Sequence, residues 1–328
     1  MLHRNYVIAC LFVACSFIFL EGNSVAAQKS VTAANPSEEK ILTLGQATIL
    51  GIVEGLTEYL PVSSTGHLLL AERIMGIGDS PSSTAEQREQ IKEATDAYTI
   101  CIQIGAIIAV LGLYFRRVKQ MVYGLLGKDT EGRQLLINVI TGFLPAAVIG
   151  LLFNKLIKSY LFGTWPVVIA WFVGGVAILV VSRWNQQKGE RSAANGRSII
   201  ELSWRMALII GLIQCIAMWP GVSRSLVTIV GGLLVGLSLS AAVEFSFLLG
   251  LITLSAATGY DALKHGQIML QTFDALSLAV GVVFAFIAAV LSVKWMVSYL
   301  NRHGLAIFGY YRVALALITG LLLVTGRL

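Results

Sequence analysis

The sequence predicts an all-α, polytopic membrane protein made of two inverted-topology repeats, each holding a re-entrant broken helix pair. Three observations carry that expectation. Of 328 residues, 56% are hydrophobic and only 13% charged, with a mean hydropathy of +0.77, far more apolar than a soluble domain. The apolar residues gather into nearly charge-free blocks at 97–114, 136–153, 167–181, 245–257 and 276–293, which approach bilayer length with their flanks. Two further apolar blocks are interrupted by proline and hydroxyl residues, at Pro61 and at Pro220. The blocks are continuous rather than alternating, which excludes a transmembrane barrel.

At the N-terminus, His3 and Arg4 precede an apolar run over 6–20 and small residues ending at Ala26 and Ala27. This is the pattern of a secretory signal peptide, with an uncleaved anchor as the alternative, over 1–27. A polar linker over 28–40 follows, and one membrane domain occupies 41–328. If the linker is external, cytoplasmic connections should carry the excess of Lys and Arg. Arg116, Arg117 and Lys119 follow the first long block, and Arg183, Lys188, Arg191 and Arg197 follow the third. The segments 78–96 and 154–165 then read as external connections. For the linker and 78–96 to share a side, the block 42–77 must enter the membrane and return.

Its middle has the chemistry for such a return, because Pro61 removes a backbone donor and hydroxyls can satisfy freed backbone groups at depth. The second break repeats the first at a constant offset of 160, pairing Gly51 with Gly211, Glu54 with Gln214, Val62 with Val222 and Ser63 with Ser223. By the charge pattern the second block starts inside and the first outside, so the repeats are inverted, and such repeats place a site where their broken helices meet.

The formal net charge is +6, but the cations sit in short connections without interleaved aromatics. They read as topology signals and exclude nucleic acid as a partner. Cys101 and Cys215 stand alone in apolar runs, without zinc spacing, and read as packing residues.

Glu54 and Glu58 lie four apart, so a helix sets both carboxylates on one face. Ionisable groups inside an apolar segment are costly and by default functional; a close acid pair suits general acid–base work or a divalent cation. Ser63, Ser64 and Thr65 lead to Gly66 and His67. These hydroxyls can donate to phosphate oxygens or repair broken backbone, and a Ser can attack phosphorus if Glu58 or His67 takes its proton. In the second break Arg224 sits between Ser223 and Ser225, with Thr228 a turn later. A guanidinium there calls for a phosphate or for a salt bridge to Glu54 or Glu58, the two being compatible, and a helix N-terminus adds to the phosphate reading.

The string Glu54-Gly55-Leu56-Thr57-Glu58-Tyr59-Leu60-Pro61-Val62-Ser63-Ser64-Thr65-Gly66-His67 and the string Trp219-Pro220-Gly221-Val222-Ser223-Arg224-Ser225 closely resemble the two signatures of the bacitracin-resistance type of undecaprenyl-diphosphatase. The similarity runs from about Leu42 to the C-terminus, through Gly142-Phe143-Leu144-Pro145-Ala146 and Glu244-Phe245-Ser246-Phe247-Leu248-Leu249. The resemblance implies removal of the terminal phosphate from undecaprenyl diphosphate in a bacterial inner membrane, with the site open to the periplasmic side, in support of cell-wall synthesis. It implies Glu54 and Glu58 as acid–base or cation-binding residues, Ser64 as nucleophile, His67 as a proton-transfer aid and Arg224 as the phosphate clamp. Ser63, Thr65, Gly66, Ser223, Ser225 and Thr228 are implied substrate contacts, and Mg or Ca a plausible cation. Leu226 stands where the family often has a small residue, and 78–96 is longer than usual. Inverted repeats are also the architecture of transporters, so movement of a polyprenyl phosphate between leaflets is the competing expectation. The sequence leaves oligomeric state open.

Overall fold

The structure, a computed structural model, describes residues 42–77, 85–187 and 196–328. The expected leader and linker over 1–40 therefore lie outside the described residues. Within them eleven α-helices follow one another: α1 (Leu44–Thr57), α2 (Ser64–Ile74), α3 (Ala85–Leu113), α4 (Phe115–Leu125), α5 (Thr130–Leu161), α6 (Thr164–Gln187), α7 (Trp204–Gln214), α8 (Arg224–Leu234), α9 (Leu239–Thr272), α10 (Ala275–His303) and α11 (Ala306–Val324). No named strand occurs among the described residues; there is a single isolated bridge between Arg197 and Leu237. Six helices, α3, α5, α6, α9, α10 and α11, hold apolar spans of 19 to 29 residues, sufficient to cross a hydrocarbon core that needs about 20. Their outer faces expose Leu151, Leu152, Val180, Leu263, Leu291 and Leu321, which is stable against lipid chains and not against water.

Both broken pairs are re-entrant. Gln46 at the start of α1 donates through Nε2 to the Met75 carbonyl just after α2, at 3.3 Å, so that hairpin enters and leaves on one face. Arg197, ahead of α7, exchanges backbone hydrogen bonds with Gly236 (2.9 Å) and Ser238 (3.0 Å), just after α8. The two hairpins open on opposite faces. Arg73 at the end of α2 reaches Thr164, at the start of α6 (3.2 Å), on the first face. Arg117 of α4 pairs with Glu244 of α9 at 2.7 Å on the second. The three crossings α3, α5 and α6 lie between the hairpins, and an odd number inverts the second relative to the first.

The packing keeps the same relation. Gly51 of α1 lies against the backbone of Gly281 in α10, and Gly211 of α7, its counterpart 160 positions on, lies against the backbone of Gly142 in α5. Each pair brings two helix axes to backbone contact, where small residues pack best in membranes. Gly51→Ala would set a methyl against the Gly281 carbonyl; overpacking of this kind costs about 1–3 kcal/mol, and a lowered midpoint of thermal unfolding in detergent is the expected result.

Two connections are shorter than the sequence suggests. α3 begins at Ala85, inside the polar segment 78–96, and α5 continues to Leu161, inside 154–165, leaving Phe162 and Gly163 as the turn. No proline or glycine lies between Phe153 and Gly163, so nothing stops the helix earlier. Pro145 is accommodated inside α5. The amphipathic α4 buries Met121 and Gly124 and exposes Phe115, Arg116, Lys119, Val122 and Leu125, the pattern of a helix lying in the membrane interface.

Candidate active site

The two breaks meet back to back. At each, the last residue before the short helix sits at positive φ: Ser63 (φ 74°) before α2 and Ser223 (φ 78°) before α8. Non-glycine residues rarely adopt this conformation, and it persists only where the surroundings impose it. Here the surroundings are the other loop. Ser225 and Ser223 both donate through Oγ to the Leu60 carbonyl, at 2.8 and 3.4 Å, and Ser292 of α10 donates to the Gly55 carbonyl at 2.9 Å. The hydroxyls of one repeat thus satisfy backbone acceptors freed by the break in the other, which is what allows irregular chain at membrane depth.

Three side chains converge in this junction. Ser64, the first residue of α2, donates its hydroxyl hydrogen to Glu58 Oε2. Glu58 Oε1 accepts from Arg224 Nη2 at 3.3 Å, and Arg224 Nη1 donates to the Ser246 carbonyl of α9 at 3.1 Å. One carboxylate therefore holds a hydroxyl with one oxygen and a guanidinium with the other. Ser64 and Arg224 occupy equivalent positions in the two repeats, each first in its short helix, so the N-terminal residues of both short helices meet at Glu58. α2 has no side-chain cap, which leaves its first amides available, whereas Ser223 caps α8 through Leu226 N.

Around this centre the structure distributes the other expected residues. Glu54 is buried one turn before Glu58 and faces both Glu58 and Gln103 of α3; its Oε1 has no hydrogen-bond partner in the structure. Thr228 is buried and shares a 2.6 Å hydrogen bond with Ser246 Oγ. Thr65 is exposed, unlike its neighbours. Gly66 packs on the Trp171 indole, leaving no room for a Cβ. His67 stands apart from the Ser64–Glu58 pair: Nδ1 donates to the Ser63 carbonyl at 2.6 Å and Nε2 shares a 2.7 Å hydrogen bond with Tyr311 OH. A carbonyl can only accept, so the Nδ1 position carries hydrogen. Of the two candidate partners for Ser64 it is Glu58 that makes the contact. Leu226 is buried in the apolar core.

Several contributors lie beyond what the sequence singled out. Tyr59 presents its ring to the Arg224 guanidinium at 5.4 Å and is itself held edge-on by Phe247 at 5.3 Å. Thr258 donates to Gln103 Oε1 at 3.1 Å, which turns the Gln103 amide nitrogen toward Glu54. Arg312 of α11 is wholly buried beside both loops. A charged residue inside the apolar block of α11 was the available signal for Arg312; Gln103 and Ser246 are neutral and gave none.

A buried carboxylate binding a serine hydroxyl and an arginine, at the junction of two re-entrant helix pairs, defines a polytopic membrane protein whose polar centre joins a hydroxyl, a base and a guanidinium. The chain belongs to the family of Bacitracin resistance protein BacA, whose profile matches residues 47–318. Among curated relatives, it is 42% identical to undecaprenyl-diphosphatase 2 of Rhodospirillum rubrum over 278 residues, covering 85% of this chain and 94% of the relative. It is 42% identical to the undecaprenyl-diphosphatase of Sorangium cellulosum over 270 residues (82% and 83%) and 41% identical to that of Bradyrhizobium diazoefficiens over 283 residues (86% and 98%).

Proposed function

We propose that this protein hydrolyses undecaprenyl diphosphate to undecaprenyl phosphate and inorganic phosphate, regenerating the lipid carrier for peptidoglycan synthesis and so supporting tolerance to bacitracin. Membership of the family and the names of its relatives support the substrate. The observation that carries the chemistry is the Ser64–Glu58–Arg224 contact.

In the reaction Ser64 Oγ attacks the terminal phosphorus while its proton passes to Glu58. The bond from that phosphorus to the bridging oxygen breaks, and the polyprenyl monophosphate leaves with the electron pair and takes the proton from Glu58, which restores the carboxylate. Water then attacks the phosphoserine, giving a proton to the same carboxylate, and the bond from phosphorus to Ser64 Oγ breaks as the serine recovers a proton and phosphate departs. Arg224 and the uncapped amides of α2 stabilise charge on the transferring group. Ser63, Ser223, Ser225 and Thr228 hold the two loops in shape, His67 holds Ser63, and Thr65 lies on the exposed side of α2, where substrate would approach.

A divalent cation, Mg or Ca, fits the acid pair. Glu54 carries a buried oxygen without a partner, and hard cations take carboxylate and phosphate oxygens together. No group of three or more His, Cys, Asp or Glu residues capable of metal binding occurs among the described residues, so Glu54 and Glu58 would hold the ion jointly with the substrate. Bound there, it would neutralise charge on the diphosphate.

The face carrying Arg116, Arg117, Lys119, Lys128, Arg197 and Arg302 is assigned to the cytoplasm of a bacterial inner membrane by the excess of cations. The α1–α2 hairpin then opens to the periplasm, with the lipid tail in the bilayer beside it. The test is phosphate release from undecaprenyl diphosphate by the purified protein in detergent. One phosphate per lipid, with monophosphate as the other product, is expected; lipid that binds and stays intact would replace hydrolysis by transport or sequestration.

A further inference from the structure

Arg312 is the one charged side chain with no exposure at all among the described residues, and nothing in the reaction above uses it. Its guanidinium donates from Nη1 to the Pro61 carbonyl (3.3 Å), from Nη2 to the Gly221 carbonyl (2.8 Å) and the Ala170 carbonyl (2.9 Å), and from Nε to the Trp171 carbonyl (3.4 Å). All four acceptors are main-chain oxygens. A cation placed at membrane depth without a carboxylate is costly unless its position serves something.

What it serves is legible in which carbonyls it holds. Pro61 and Gly221 are separated by the same 160 positions that relate the two repeats, so one planar fork grips the equivalent carbonyl in each loop. Arg312 therefore joins the two loops at equivalent points. Three residues beyond Pro61 stands Ser64, and three beyond Gly221 stands Arg224. Glu58 is three residues before Pro61. Every group in the proposed reaction is a short, rigid step from a carbonyl fixed by this guanidinium.

We propose that Arg312 is a positioning residue that sets the spacing between the two loop apexes and thereby the distance from Ser64 and Glu58 to Arg224. Its other two bonds, to Ala170 and Trp171 of α6, anchor the fork to a spanning helix, so the loops are referenced to the scaffold as well as to each other. The neighbouring Tyr311 acts on the same junction through His67, whose Nδ1 binds the Ser63 carbonyl. α11 can come close enough because α6 presents glycines there: a Cβ on Gly174 would collide with the Arg312 guanidinium, and one on Gly175 would meet Val313 and the Gly309 carbonyl. A lysine cannot replace the fork, since one nitrogen cannot reach carbonyls from three chain segments at once.

This inference rests on the diphosphatase reading, and the experiment separates the two. Phosphate release from undecaprenyl diphosphate is measured for the parent, Arg312→Lys and Gly174→Ala, with thermal unfolding of each followed in parallel. Arg312→Lys keeps the charge and loses the geometry; Gly174→Ala keeps Arg312, favours helix and displaces the guanidinium. Misplacement of reacting groups by an ångström costs about 100-fold, so kcat should fall about 100-fold in Arg312→Lys and about 10-fold or more in Gly174→Ala, with KM within about 3-fold of the parent. A fall in the amount of folded protein alone would leave KM and the kcat of the folded fraction unchanged, which overturns the proposal. Parent kcat in Arg312→Lys overturns it too, as charge would then suffice. Should Arg312→Lys not fold, Gly174→Ala decides, and parent kcat there sinks the idea. A parent that releases no phosphate takes down the diphosphatase reading and this inference with it.

Discussion

Glu58→Gln is expected to lower kcat by about 1,000-fold, equivalent to about 4 kcal/mol of transition-state stabilisation, with little change in KM. The side chains are isosteric, so the loop and the buried surroundings are retained. The loss is electronic. Glu58 receives the Ser64 hydroxyl on one oxygen and the Arg224 guanidinium on the other, and both neighbours are donors. A glutamine can offer its single carbonyl oxygen to only one of them and must point an NH2 group at the other. If the amide faces Ser64, the hydroxyl has no base; if it faces Arg224, two donors confront each other in a closed site. Single-turnover phosphate release would separate the steps, and both formation and hydrolysis of the phosphoserine should slow, because one carboxylate serves both. A Glu58→Gln enzyme within about 10-fold of the parent kcat would mean that the Ser64–Glu58 hydrogen bond is structural and that another base acts.

The parts of this arrangement that the sequence disclosed are those with local physical causes. Span length, the proline breaks and the two acids one turn apart each depend on a few neighbouring residues, and each is where it was expected. The offset of 160 was visible in a handful of identities, and the paired glycine crossings at Gly51 and Gly211 give it a packing reason. Segment ends were less legible, as at Ala85 and Leu161, because polarity alone does not stop a helix. What the sequence could not disclose was partnership at long range. His67 reads locally as a possible base for Ser64, but its ring is committed to Ser63 and to Tyr311, which is 244 positions away. Arg312 carried a local signal, a charge in an apolar helix, yet its meaning depends on carbonyls of Pro61, Ala170 and Gly221 that only the fold assembles. Gly66, implied by the resemblance as a substrate contact, has no room for a side chain because the Trp171 ring approaches it closely, a packing demand that no spacing of residues announces.

Arg224→Lys tests the opposite side of the same centre and should give a different kinetic signature. The guanidinium spans the junction with separate nitrogens, Nη1 on the Ser246 carbonyl and Nη2 on Glu58, with its Nε having no hydrogen-bond partner in the structure and its plane lying over the Tyr59 ring. Such a fork can exchange its Glu58 contact for two phosphate oxygens without losing its anchor on α9. A lysine preserves the charge, but its single nitrogen must choose between the anchor, Glu58 and the phosphate. Removing one well-placed donor to a developing negative charge costs about 100- to 1,000-fold. Because the clamp also holds the diphosphate before reaction, the loss should appear in KM as well as in kcat, whereas Glu58→Gln should spare KM. Steady-state kinetics over a range of lipid concentrations distinguishes the two patterns. If Arg224→Lys retains kcat/KM within about 3-fold of the parent, charge alone is sufficient at this position, and the geometry of the fork has no part in binding the phosphate.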